Sequence, residues 1–523
     1  MADPTLGDDA AETAVLARDK AMLHSMGYAQ ELFRGMRTFQ NFAISFSIIC
    51  ILSGGINSFS QGIGSVGGAS IGLGWPLAAL FSLLFALAMG QIGSAYPTAG
   101  GLYHWGSLLG GRFWGWITAW FNLVGLITVL AAINVGTYLF LVGAFAPALG
   151  LDPAVLTPPE PTANSIAIQA IVVGLITISQ GLFNHLGIRL TSRLTDFSGY
   201  VIFAGAVALT VTLLAYAPSH DISRLWTFHN YSGDPGGGTW PESKSLVYLF
   251  LLGLLLPAYT ITGFDASAHT AEETVDAAHS VPKGMVQAVI WSAIFGYVML
   301  SAIILAAPSM DDAAKQGGNV FFWIMDSVVP HGLKLALYVI IAVAQYLCGL
   351  ATVTSASRMI FAFARDGGLP ASGSLRGISP RFRTPVVAIW TVVVLSIGFT
   401  IYAPVYTTIA AVCVIFLYVS YALPITAGLL SFRRRWTTMG PFDIGAAFPV
   451  VAVLCIVAAA ALLYIGTRPP NDQALTVTAG VVALAVLVWF GLERRRFAGP
   501  PIGDVGRARQ AQIAAAEQAV GED

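Results

Sequence analysis

Asp265, His269, Glu272 and Glu273 crowd into one short stretch, GFDASAHTAEE, at residues 263–273. Carboxylates and an imidazole so spaced can hold a cation, carry a proton or pair with arginines. What precedes them narrows the choice. No charged residue type occurs from Leu246 to Phe264, a run long enough to begin a membrane helix. Pro257 then removes a backbone donor, and Thr262–Gly263 weakens the helix further. In hydrocarbon an unpaired backbone group is so costly that a broken helix persists only where it lines a cavity or is buried in protein. A break flanked by ionisable groups is a pointer to a transporter's binding site. A proline kink running into a cytoplasmic loop is the plainer reading of the same residues.

A second interruption, Ser53-Gly54-Gly55, falls within IICILSGGINSFSQGI. Glycine costs a helix about 1 kcal/mol per residue, although glycines in membrane helices also mark close packing.

The elements that hold these residues follow from composition. The 523-residue chain is 56% hydrophobic and 10% charged, against about 25% charged in soluble proteins. Between Arg37 and Arg112, and again between Arg112 and Asp152, there is no Asp, Glu, Lys or Arg. This describes a polytopic α-helical membrane protein; a membrane β-barrel would alternate in short segments. Twelve apolar runs of membrane length are expected, near 41–64, 73–96, 113–147, 165–184, 197–217, 246–269, 284–307, 335–362, 385–404, 406–430, 446–466 and 474–492. With both termini in the cytoplasm, only Arg224, Lys244, Lys315, Lys334 and Arg468 of the 26 Lys and Arg fall outside. One span more or fewer would scramble that bias. The polar first forty residues lack the apolar core of a signal peptide. Cys50, Cys348, Cys413 and Cys455 sit in apolar runs at irregular spacing, with no metal or disulfide framework implied.

The two interruptions lie in spans 1 and 6, corresponding positions of two five-helix repeats. An odd-numbered repeat must be inverted in the membrane, an arrangement common in secondary transporters. The expected organisation is an N-terminal cytoplasmic segment (1–40), a first repeat (41–217), an external loop (218–245), a second repeat (246–430), helices 11 and 12 (431–492) and a cytoplasmic tail (493–523). The loops at 148–164 and 218–245 read as ordered caps or flexible lids, and 505–520 as an Ala- and Gln-rich helix or a tail.

Three motifs carry a resemblance: GQIGSAYPTAGGLYHW at 90–105, GFDASAHTAEE at 263–273 and SRMIFAFARDGGLP at 357–370. Together they resemble the amino acid–polyamine–organocation superfamily, and the second its amino acid/choline transporter branch, which includes permeases for γ-aminobutyrate and choline. The likeness runs from about residue 34 to 495. It implies a leucine-transporter-type fold of five plus five inverted helices, with alternating access. By that resemblance the substrate site lies where spans 1 and 6 unwind. Ser53, Gly54 and Gly55 match the first broken segment, whose amides would receive a carboxylate. Tyr259 matches an aromatic that shuts the substrate off from outside. Ile261, Thr262 and Gly263 match the second break, whose carbonyls would receive an ammonium. Many members carry an acid where this chain has Gln91.

Several residues remain open between readings. Asp265 could bind a cationic substrate, carry a proton or cap the inner half-helix, and capping is preferred. Glu272 and Glu273, paired with Arg358, Arg365 or Arg37, would close an inner gate; a solvated acidic surface is the alternative. His185 and His269 could relay protons, or be structural. In PTAGGLYHW, Tyr103 and Trp105 suit an interfacial belt. Sodium-using relatives place small hydroxyls of span 8 opposite the span 1 break, where Thr354 and Ser355 stand here. Some proton-dependent or sodium-independent relatives use a lysine in span 5, which this chain lacks. The coupling ion, proton or sodium, stays undetermined.

The expected function is a permease for a small amino acid or amine, such as γ-aminobutyrate or a neutral amino acid, in the cytoplasmic membrane. Choline or a polyamine is the alternative cargo. A channel would show filter repeats or charged rings, and a membrane enzyme paired acids, HExxH or an activated nucleophile; neither is present. No catalytic residue, metal, cofactor or nucleic-acid partner is expected, and nothing in the sequence fixes an oligomeric state.

Overall fold

The computed structural model describes residues 4–158, 160–501, 513–514 and 516–518. Among these, ten helices are long and apolar enough to cross a membrane, and Leu246–Thr260 and Val386–Tyr402 are shorter apolar helices. Together they match the twelve runs in the sequence. Span 1 comprises Thr38–Ile49, Ile51–Asn57 and Phe59–Val66; span 2 is Trp75–Ala95, span 3 Arg112–Phe145, span 4 Ala163–His185 and span 5 Ile188–Tyr216. Span 6 comprises Leu246–Gly253, Leu255–Thr260 and, past a break, Ala266–His269. Spans 7 to 12 are Ala277–Ala306, His331–Arg365, Val386–Tyr402, Tyr406–Ser431, Phe448–Gly466 and Asp472–Val488.

The packing repeats itself. Span 1 packs on 6, 2 on 7, 3 on 8 and 4 on 9. Other contacts come in matched pairs under a shift of five spans: 3 on 10 with 5 on 8, 5 on 7 with 2 on 10, and 4 on 8 with 3 on 9. Spans 11 and 12 lie outside this pattern and pack mainly on span 10. The fold is thus the five-plus-five arrangement with two added helices.

Two features differ from the sequence reading, and a third decides between its alternatives. A helix, Pro4–Ser25, occupies the polar N-terminal segment. Tyr103 and Trp105 do not sit at an interface but are buried, the Tyr103 hydroxyl donating to Asp366 Oδ2 at 2.9 Å and the Trp105 indole to Tyr96 O at 2.9 Å. Their short helix, Gly101–Gly110, is folded inward against span 3. The 218–245 loop docks as a cap, its buried Trp240 donating to Gln61 O at 2.7 Å and its Tyr231 to Asp311 at 2.6 Å. The proposed 505–520 helix lies mostly outside the described residues, with 513–514 and 516–518 helical.

Candidate functional site

Both helix interruptions are present, and they touch. A Cβ on Gly54 would lie 2.9 Å from the Thr260 Cα, so only glycine lets spans 1 and 6 approach this closely. The first break is displaced from its expected place. Cys50, at φ 19° and ψ 84°, is the residue outside helical geometry, whereas Ser53, Gly54 and Gly55 lie within the half-helix Ile51–Asn57. The Cys50 carbonyl accepts from the amides of Ser53 (2.8 Å) and Gly54 (3.0 Å). The amides left over at this N-terminus are therefore those of Ile51 and Leu52, not those of Ser53–Gly55.

The second break falls at Ile261–Asp265. Gly263 has φ 83°, and a Cβ there would lie 2.3 Å from Ile48 Cγ2, so the turn needs glycine twice over. The Ile261 carbonyl, expected to be open, accepts from the Tyr418 hydroxyl at 2.9 Å and from Ser82 at 3.3 Å. The Gly263 amide donates to the Tyr421 hydroxyl oxygen at 3.1 Å, and the Thr262 hydroxyl lies 3.3 Å from it. Span 10 thus dresses the break with two tyrosines that the sequence reading missed. The signal was a Tyr-x-x-Tyr pair, LYVSYALP, inside an otherwise apolar run.

Asp265 does not cap the inner half-helix; no side-chain cap bond is formed there. Its fully buried carboxylate accepts instead from Tyr421 (2.8 Å), from Asn122 of span 3 (2.9 Å), and lies 3.2 Å from His269 Nε2. His269 Nδ1 faces the Ala99 carbonyl at 3.3 Å. A carboxylate in a buried site is better satisfied by several specific donors than by one helix end. His185, at the end of span 4, accepts instead from the Trp390 indole of span 9 at 3.2 Å.

Next along the chain come two bidentate ion pairs. Glu273 meets the Arg358 guanidinium at 3.0 and 3.0 Å, and Glu272 meets Arg365 at 2.7 and 2.9 Å. Both carboxylates are wholly buried, so they form no solvated acidic surface. The Ala99 amide adds a donor to Glu272 at 3.1 Å. The Arg365 guanidinium stacks 3.9 Å over the Tyr28 ring, and Tyr28 donates to Asp366 at 2.6 Å. The N-terminal segment lies across this layer: Gly35 and Met36 donate backbone bonds to Glu273 O, and Gln30 donates to Glu272 O. Arg37 stands at the head of span 1 instead of in these pairs.

The opposite end of the site is built differently. Tyr259 is edge-on to Tyr406, centroids 5.9 Å apart, and the Tyr406 hydroxyl is 3.0 Å from Ser58 Oγ. Beyond Tyr406 opens a cavity of about 590 Å³, lined among others by Asn57, Ser60, Phe140, Gln169 and Phe322.

Between the span 1 break and span 8 stand thiols. Cys348 Sγ donates to Ile48 O at 3.3 Å, and Cys50 Sγ lies 3.8 Å from Ala344 O. Thr354 donates to Asn184 at 2.7 Å, while the buried Ser355 hydroxyl has no partner among the described residues. Gln91 is buried and holds the segment after span 10, accepting from the Ile444 amide at 3.1 Å.

Residues 36–492 match the amino acid permease family. The chain is 31% identical over 523 residues to the amino-acid permease BAT1 of Arabidopsis thaliana, covering 95% of this chain and 98% of that protein. It is 30% identical to the BAT1 homolog of rice, covering 92% and 95%. It is 28% identical to a GABA-specific permease of Saccharomyces cerevisiae, covering 72% and 65%.

Proposed function

The chain belongs to the amino acid permease family and is a secondary amino acid transporter, and on that premise we propose that its cargo is a small neutral zwitterion, γ-aminobutyrate or a small α-amino acid. The observation that carries this reading is the pair of touching, buried breaks with their one acid already satisfied. The amides of Ile51 and Leu52, at a positive helix end, suit a carboxylate. The Ile261 carbonyl of the span 6 break suits an ammonium once Tyr418 and Ser82 move aside. Asp265 has three partners of its own, which argues against a dedicated cation site and so against choline or a polyamine. A relative named for γ-aminobutyrate supports the same substrate class.

The terminal face, rich in arginine, is cytoplasmic on this reading, and the protein spans the cytoplasmic membrane. The pairs Glu272–Arg365 and Glu273–Arg358 form the inner gate, and Tyr259 with Tyr406 and Ser58 forms the outer one. The 590 Å³ cavity is then the external vestibule, and substrate passes by alternating access.

Thermal unfolding of the purified protein against alanine, γ-aminobutyrate, choline and putrescine tests the assignment. Ligand at 100 times its Kd adds about 2.7 kcal/mol. Stabilisation by a zwitterion is expected; stabilisation by choline or putrescine alone would contradict it.

A further inference from the structure

We propose that Asp265 and His269 together form the proton-binding site that couples transport, and that Tyr421 transmits its charge state to the span 6 break. This rests on the transporter reading above and names its coupling ion. The two side chains are 3.2 Å apart, four residues apart on one half-helix, and neither is exposed. In such a place a net charge is expensive, whereas one proton shared by a carboxylate and an imidazole leaves the pair neutral. The pair therefore keeps one proton while buried. It gains that proton from water on the vestibule side and releases it to water on the terminal side.

The link to the break is a single hydroxyl. Tyr421 donates to Asp265 Oδ1 at 2.8 Å, and its oxygen accepts the Gly263 amide at 3.1 Å. Gly263 is the left-handed residue on which the break turns. An ionised Asp265 is a strong acceptor and holds Tyr421 in place; a neutral acid is a weaker one and frees it. Proton occupancy thus sets how firmly the break is held.

Among the described residues, the charges around the pair are themselves paired: Glu272, which takes the Ala99 amide beside His269, is held by Arg365. Span 8 contributes Arg358, which Glu273 neutralises. Span 10 contributes Tyr421 and Cys413, and span 3 Asn122. Span 1 contributes Asn41 and Ser45, which do not titrate. Near Gly101–Gly110, His104 is turned to Thr98 and Tyr103 to Asp366. On span 7, His279 and Lys283 are exposed. A hard cation is served poorly here. Between spans 1 and 8 the thiols of Cys50 and Cys348 occupy the carbonyls, and Ser355 offers one hydroxyl where such an ion takes several oxygens.

The test is the ratio of proton to amino acid movement in proteoliposomes of the full chain, with alanine and γ-aminobutyrate as probes. Wild type is expected to move protons with substrate and to ignore a sodium gradient. Asp265→Asn and His269→Gln should each lower the ratio at least tenfold, with amino acid counterflow showing that the protein is folded. If neither variant folds, Tyr421→Phe, which keeps the pair and removes the link, should lower the ratio likewise. An unchanged ratio in a folded variant, or sodium-driven accumulation without proton movement in wild type, overturns the proposal. Should wild type move neither probe, the substrate assignment fails separately. The proton site is then read by infrared titration of the purified protein, where a carboxyl band lost in Asp265→Asn supports it and its absence in wild type refutes it.

Discussion

The two ends of the site close by opposite means. At the terminal face, two carboxylates at 0% exposure are gripped bidentately by Arg358 and Arg365, with the N-terminal segment laid over them. At the other face, closure rests on the Tyr259–Tyr406 contact and one hydroxyl pair, below an open cavity. Buried ion pairs are costly to break singly; an aromatic contact adds only about 0.5–1.5 kcal/mol beyond its burial. The difference explains why the structure is shut at one face while the other needs only side-chain movement to admit a small molecule.

The largest effect should come from breaking one charge pair. Glu273→Gln strands Arg358, itself 1% exposed, and stability should fall by about 3–5 kcal/mol in thermal or denaturant unfolding. Adding Arg358→Met should recover much of it; no recovery would mean that the pair is not what holds this face. Next comes the contact between the breaks. Gly54→Ala places a Cβ 2.9 Å from the Thr260 backbone, whereas Gly55→Ala meets the flexible ends of Leu300 and Met299 at 3.4 and 3.5 Å. Uptake should fall at least tenfold for the first and stay within threefold for the second. Equal uptake by both would put the close approach elsewhere.

At the aromatic end, Tyr406→Phe removes the bond to Ser58, worth about 0.5–1.5 kcal/mol. Equilibrium binding should persist while coupled transport slows several-fold; lost binding would make Tyr406 an anchor instead. The smallest effect concerns the contact between the N-terminal segment and Glu517. Glu517 takes the Gln30 amide at 2.9 Å, His24 at 2.7 Å and Lys20 at 3.0 Å. Burial raises the Glu517 carboxyl, but the Gln30, His24 and Lys20 contacts outweigh it and hold it below the usual value of 4.5. A lowered folded value means that this contribution is complete above about pH 4.5 and fades as pH falls through the folded value. Tail protection from limited proteolysis should therefore weaken only at acid pH, and Glu517→Gln should remove it at neutral pH.

Legibility in the sequence followed the range of the interaction. The spans were readable because a bilayer demands long apolar runs, and the span 6 break because Thr262–Gly263 interrupts one. Candidate partners for Glu272 and Glu273 were readable because arginines are scarce in apolar helices. The span 1 break was read at Ser53–Gly55 from glycine propensity, yet the turn falls on Cys50. The glycine there serves instead to let span 6 in. Asp265 was read as a cap because local sequence shows only its own helix. Its actual partners, Asn122 and Tyr421, lie 143 and 156 residues away. The N-terminal helix was unreadable because its polar sequence carries almost no amphipathic pattern.

The contrast between the two ends is tested most directly by access from each side. The four native cysteines are buried, so a membrane-impermeant maleimide reports on single introduced thiols. Ser60 lines the cavity, and Ser357 is buried beside Arg358 at the terminal face. Without substrate, Ser60→Cys should label readily and Ser357→Cys, probed from the terminal side, should not. Saturating alanine or γ-aminobutyrate should slow the first and speed the second. Faster labelling of Ser357→Cys in the substrate-free protein would contradict a molecule held shut by its buried ion pairs.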